Sequence, residues 1–84
     1  MDDAQATRVI EGLLFVFSQP LPLKRLTEIL PDLAPPRIRQ LIQVLSEGYA
    51  ASGRAFQIQE VAGGYQLVTD TALAPWIRRA LQGP

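Results

Sequence analysis

Apolar residues recur along the first stretch of the chain at Ala6, Val9, Ile10, Leu13, Leu14, Val16 and Phe17. Steps of three and four put them on one face of a helix, which starts at Asp2 or Asp3. Gln19-Pro20-Leu21-Pro22 stops it, because neither proline can continue the hydrogen-bond ladder. A second helix is predicted from about Leu23 to Leu30, with Leu23, Leu26 and Leu30 facing inward and Pro22 suited to its first position. Pro31 ends it. Pro35-Pro36 opens a third helix, predicted from Pro36 to about Ser52. Its buried stripe is Ile38, Leu41, Ile42, Leu45 and Tyr49, a helical spacing throughout. Gly53 suits the left-handed cap that follows.

The period then changes from 3.6 to 2. Phe56 and Ile58 alternate with Gln57 and Gln59, as in a half-buried strand. Ala62-Gly63-Gly64 tolerates the positive φ of a tight hairpin, so a Gly-Gly turn is expected, with Tyr65 and Leu67 beginning the return strand. Asp70 or Thr71 can cap a fourth helix whose inward face is Leu73, Trp76, Ile77, Ala80 and Leu81. Pro75 falls in its first turn, and Arg78 and Arg79 near its C-terminus complement the macrodipole. Gln82-Gly83-Pro84 reads as a linker or a cut end. There is no internal repeat. The order predicts one domain over 1–84: a mainly α fold with a small β-hairpin (α+β), a winged helix-turn-helix of three helices, a two-stranded wing and a C-terminal helix. Pro20-Leu21-Pro22 is a candidate short third strand beside the hairpin, weakened by its two prolines.

Composition narrows the chemistry. The chain of 84 residues has no histidine and no cysteine, which removes Cys/His metal sites, thiol or imidazole catalysis and disulfides. The scattered acids Asp2, Asp3, Glu11, Glu28, Asp32, Glu47, Glu60 and Asp70 form no pair on one helical face, as acid–base catalysis would need. Gly63-Gly64 is too short for a phosphate-cradling loop, and no Lys-Ser/Thr follows it. The expectation is a non-enzymatic protein with no cofactor and no metal. The first helix is apolar for only about nine residues, against the ~20 of a membrane span, and the expected location is the cytoplasm.

Eight basic and eight acidic residues cancel, whereas nucleic-acid-binding domains usually carry a basic surplus. If the fold read DNA, the third helix would enter the major groove. Its outer face is Arg39, Gln40, Gln43, Ser46, Glu47 and Ala50, among which Arg39, Gln40 and Gln43 are the candidate base contacts. Glu47 sits in the middle of that arc, and Glu60 adds negative charge to the wing, where Arg54 at the base is the only cation. A solvated helix face accounts for these residues equally well. Protein contact is the other class. Phe15 falls on the wet side of the first helix, between Arg8, Glu11, Gly12 and Gln19. A single exposed phenylalanine is common in itself, but Gly12 beside it sacrifices helix propensity and would let another backbone approach. Val44 on the third helix and Ile29 on the second are similar outliers. Trp76, placed on the inner face of the fourth helix, fits either the core or the rim of an interface. Gly12, Phe15, Ile29, Val44 and Trp76 are therefore the candidate interface residues.

Three runs also resemble a known family. Ile10-Glu11-Gly12-Leu13-Leu14-Phe15 with Gln19-Pro20-Leu21 resembles the opening of segregation and condensation protein B, and Ile58-Gln59-Glu60-Val61-Ala62-Gly63-Gly64-Tyr65-Gln66-Leu67 and Ala74-Pro75-Trp76-Ile77-Arg78-Arg79 resemble its wing and the helix after it. The similarity covers about Thr7 to Leu81. It implies a regulatory subunit of the bacterial SMC–kleisin condensin complex, acting in chromosome condensation and segregation through homodimers and kleisin binding, and reaching SMC through the kleisin. The family has two winged-helix domains, of which this chain matches the first, so it is expected to be a fragment or a short member with dimerisation retained. Pro22 stands where a capping serine is common in the family. The alternative drawn from the residues alone is a sequence-specific DNA-binding regulator.

Overall fold

In the computed structural model, which describes residues 1–83, the chain forms α1 (Asp3–Val16), β1 (Leu21–Pro22), α2 (Leu23–Ile29), α3 (Pro35–Ala51), β2 (Phe56–Val61), β3 (Gly64–Thr69), a 3-10 turn (Thr71–Leu73) and α4 (Ala74–Gln82). Pro84 of the expected terminal linker lies outside the described residues. Asp2 caps α1, its side chain accepting from the Gln5 amide at 2.8 Å. Pro22 stands at the N-cap of α2 while still belonging to β1, and Pro35 and Pro36 open α3 one residue earlier than the spacing predicts. Gly53 ends α3 at φ 63°, the left-handed conformation that a residue without Cβ adopts freely.

The core lies among the first three helices and β3. Ile10, Leu14, Leu26 and Ile38 are the largest fully buried side chains, joined by Ala6, Leu21, Leu30, Leu41, Ile42 and Tyr65, with Val9, Leu13, Leu23, Leu33, Ile58 and Leu67 half-buried around them. The predicted stripes of α2 and α3 hold, although Leu45 is only half-buried. Two residues of the first stripe do not. Val16 is 75% exposed and Phe17 45% exposed. The helix ends at Val16, and Phe17 takes an extended conformation (φ −88°, ψ 127°), so the 100° wheel no longer applies there.

The sheet has three antiparallel strands in the order β1-β3-β2. Leu21-Pro22 therefore does form a short strand, beside β3, and the wing is not merely two-stranded. As an edge strand β1 tolerates its proline, because no ladder partner is needed on the outer side. Val61 pairs with Gly64, which makes the turn Ala62-Gly63 rather than the expected Gly-Gly pair. Both turn residues have positive φ (49° and 80°), as a two-residue type I′ hairpin demands. Gly64 is glycine for another reason. A Cβ there would sit 3.1 Å from the Leu21 carbonyl oxygen and 3.2 Å from Pro20 Cβ, so β1 could not lie so close. Gly64→Ala should cost about 1–3 kcal/mol, the range for overpacking a closely packed contact, read as a lower urea midpoint at unchanged m-value.

The fourth helix departs most from expectation. Asp70 caps the 3-10 turn, accepting from the Ala72 amide at 3.0 Å, and only then does α4 begin. No residue of α4 is buried; Trp76 is 64% exposed and Leu81 82% exposed. Trp76, Ala80 and Leu81 thus do not reach the core. Ile77 and Leu73 are half-buried, because the helix packs chiefly on the 3-10 turn before it. The molecule measures 48 Å along one axis against 25 and 20 Å on the others.

Candidate protein-contact surface

The five candidate interface residues are all exposed, but they do not share one patch. Gly12 and Phe15 lie on the outer face of α1, where they line a groove of about 420 Å³ with Arg8, Glu11, Tyr49, Phe56 and Leu67. Ile29, the last residue of α2, lies beside Met1 near the start of α1. It borders a smaller, mostly apolar cavity of about 180 Å³ with Met1, Leu30, Pro31, Asp32 and Leu33. Gly12 lies nine residues from Asp3 at the start of α1, about 14 Å at 1.5 Å per residue. Val44 is 62% exposed on α3, and Trp76 stands out on α4.

Phe56 is the residue of this surface that periodicity misplaces. It shares a strand face with Ile58, which predicts an inward side chain, yet it is 43% exposed. β2 is an edge strand of the sheet, α1 packs across β3, and only α3 reaches β2, so Phe56 is covered on one side alone. Phe56 meets Tyr49 edge-on, ring centroids 6.1 Å apart at 68°. Phe15 at 76% exposure and Phe56 then form two apolar walls over a glycine, Gly12, whose absent side chain leaves open space.

The floor of the groove is fixed by a polar contact. The Tyr49 hydroxyl donates to the Glu11 carboxylate, tying α3 to α1 across 38 positions of sequence. Burial first, and Glu11 second, push the Tyr49 phenol well above its ordinary range. Nothing in periodicity signals this pair, since Glu11 reads as a solvated residue and Tyr49 as core. The folded state keeps the phenol protonated where an unfolded chain would lose its proton, so the stabilisation is present below pH ~10 and is lost as pH rises above it. Stability should fall above pH ~10 in urea titrations, and Tyr49→Phe should flatten that alkaline decline. At the far end of the same helices Arg37 donates to Asp3 and, at 2.9 Å, to Gln40 Oε1. These are exposed contacts, worth little individually.

The face that would read DNA is poorly equipped for it. Arg39, Gln40 and Gln43 are exposed on α3 as expected, with Glu47 on the same helix. Gln40 is already engaged by Arg37. Arg39 and Glu60 both act on the Tyr65 hydroxyl, whose pKa is raised by burial first, then by Glu60, against the opposing Arg39. The arginine therefore works beside a carboxylate rather than in a basic patch. The hairpin tip does not protrude as a clamp either, because the Leu23 amide donates to the Gly63 carbonyl at 3.3 Å and holds the turn against α2. Among the described residues no cluster of acidic, histidine or cysteine side chains fits a metal ion, and no helix is long and apolar enough to cross a membrane.

A family model described as the segregation and condensation complex subunit ScpB matches residues 8–84. Segregation and condensation protein B of Syntrophotalea carbinolica is 38% identical over 79 residues, covering 94% of this chain and 40% of that protein. The chain thus spans roughly two-fifths of the length of the relatives it matches. The crystal structure of ScpB from Mycobacterium tuberculosis shares the fold, with a TM-score of 0.88 at 20% identity, over 98% of this chain and 51% of that one. So does a dimer of the ScpB N-terminal domain complexed with an ScpA peptide, with a TM-score of 0.83 at 23% identity, over 92% of this chain and 95% of that one. A family model that spans nearly the whole chain, close relatives over the same residues and a shared winged-helix fold have one reading: the chain belongs to the ScpB family of segregation and condensation complex subunits.

Proposed function

We propose that residues 1–84 are one winged-helix unit, the first of two in such a subunit, and that it acts without catalysis as a homodimerising and kleisin-binding adaptor in an SMC condensin complex. It would associate with the nucleoid through that complex rather than through its own contacts to DNA. The observation that carries this reading is the placement of apolar surface. Phe15, Phe56 and Trp76 are exposed on a domain of zero net charge, and Phe15 and Phe56 line the same groove. Support for the partners comes from the similar N-terminal domain, which is a dimer with an ScpA peptide bound.

Light scattering of this chain, alone and with an ScpA fragment, tests both partners in one measurement. A dimer that gains the mass of the fragment is expected; a monomer that ignores the fragment would reject the reading. Duplex DNA titrated across a salt series tests the rival reading. Binding should be negligible at physiological ionic strength, since phosphate-driven affinity needs a basic surface. Tight binding that weakens steeply with salt, and that Arg39→Ala reduces, would favour the DNA regulator instead.

A further inference from the structure

We propose that two copies of this chain exchange their fourth helices, with α4 of each lying across the α1 groove of the other and Trp76 seated between Gly12, Phe15 and Phe56 of its partner. The inference rests on the dimer reading above and names the surfaces that would make it.

α4 has nine residues, short of the ~12–15 at which an isolated helix becomes even marginal in water. Such a helix is held by packing, yet its own domain supplies little and buries none of its residues. At 100° per residue, Trp76, Ala80, Leu73, Ile77 and Leu81 fall in one arc of roughly 140°, with Arg78, Arg79 and Gln82 opposite. Among the described residues the ridge is thus only partly covered: Leu73 and Ile77 are half-buried, while Trp76, Ala80 and Leu81 stand in the open. On the same molecule lies a groove with apolar walls, Phe15 and Phe56, and a floor at Gly12 where nothing stands within 4 Å of a would-be Cβ. A ridge ending in a large aromatic and a groove open at a glycine are complementary in shape. The groove edge carries one cation, Arg8, and one anion, Glu11, so it does not repel a helix bearing two arginines.

Area selects the second copy as the occupant. An aromatic side chain carries roughly 150–250 Å², so the exposed fractions of Phe15, Phe56, Trp76 and Leu81 leave on the order of 500 Å² of such surface per copy. Groove or helix alone falls well short of the ~1,000 Å² that a specific interface needs. A two-fold exchange uses both surfaces of both copies and reaches about that area. It also closes the assembly, whereas a one-way contact between ridge and groove would propagate into filaments.

The chain has no cysteine, so engineered cysteines report without background. Gly12→Cys and Trp76→Cys chains, mixed and oxidised, should form a cross-linked pair that neither variant forms alone. Trp76 is the sole tryptophan, and its emission in the unmodified chain should shift to the blue as concentration carries the protein from monomer to dimer. Trp76→Asp, checked for folding by circular dichroism, should weaken the dimer at least roughly 30-fold, as an interface hot spot does. A wild-type dimer that gives no Gly12–Trp76 cross-link, or that survives Trp76→Asp at full affinity, overturns the exchange and leaves the dimer reading standing. Emission that shifts only when an ScpA fragment is added would overturn it too, by giving α4 to the other partner. A wild-type chain that stays monomeric removes the dimer reading and the exchange together.

Discussion

Ile38→Ala should lower the stability of this domain by about 2–5 kcal/mol, the cost of emptying a fully buried aliphatic site. Ile38 is 0% exposed and packs in the one cluster that joins α1, α2, α3 and the sheet. At 0.05–0.15 kcal/mol per residue, a chain of this length has a total stability of roughly 4–13 kcal/mol, so one such cavity removes a large share of it. The expected result is a urea midpoint shifted far down at nearly unchanged m-value. Val44→Ala on the same helix is the internal control. Val44 is 62% exposed, and its truncation should stay within about 0.5 kcal/mol. If the two substitutions cost the same, α3 does not face the core as described.

Phe15→Asp should leave the fold intact and take the dimer apart. The side chain is 76% exposed, so the isolated domain loses little by its replacement. In an interface the same site is an aromatic anchor, for which truncation commonly costs 2 kcal/mol or more, about 30-fold in dissociation constant. The introduced carboxylate adds a second penalty, since it would be buried without a partner beside Glu11. Sedimentation of the variant against the wild type reads the effect directly, with circular dichroism to establish that the variant is folded. A dimer that persists would move the interface away from the α1 groove, toward Val44 or the Ile29 cavity.

The contrast between these two substitutions shows what periodicity can and cannot see. Ile10, Leu26 and Ile38 are legible as core because each lies mid-stripe on a helix flanked by others. Phe15 is legible as an outlier by the same wheel, since an apolar residue on the polar arc has no place in the stripe. Trp76 and Leu81 are read wrongly by it. The stripe of α4 is as regular as that of α3, but amphipathicity states only that one face avoids water, not which body covers it. Phe56 fails for a related reason, because strand alternation assigns a face and says nothing of how fully the neighbouring helix covers that end of an edge strand. Phe17 fails because the helix ends one residue before the pattern does, and Val16 because it is the last helical residue, at the edge of the stripe.

The Ala62-Gly63-Gly64 turn divides along the same line. Local chemistry is enough to place a hairpin there, since positive φ at consecutive residues follows from residue type. Which two residues make the turn depends on register, and register here is set by Leu21-Pro22 lying against Tyr65 and Gly64. That strand is more than 40 residues upstream, so no local window contains it. The Glu11–Tyr49 hydrogen bond, the opposed action of Glu60 and Arg39 on Tyr65 and the groove over Gly12 are of the same kind.

By itself, then, the sequence determined the helices, the hairpin, their order and the neutral character of the surface, because helix period, caps, breakers and charge are properties of neighbours along the chain. Only the tertiary structure decided which apolar faces are used up by the core and which are left over. Burial is a relation between segments remote in sequence, and a ridge such as α4 carries the same pattern whether its own domain covers it or another molecule does.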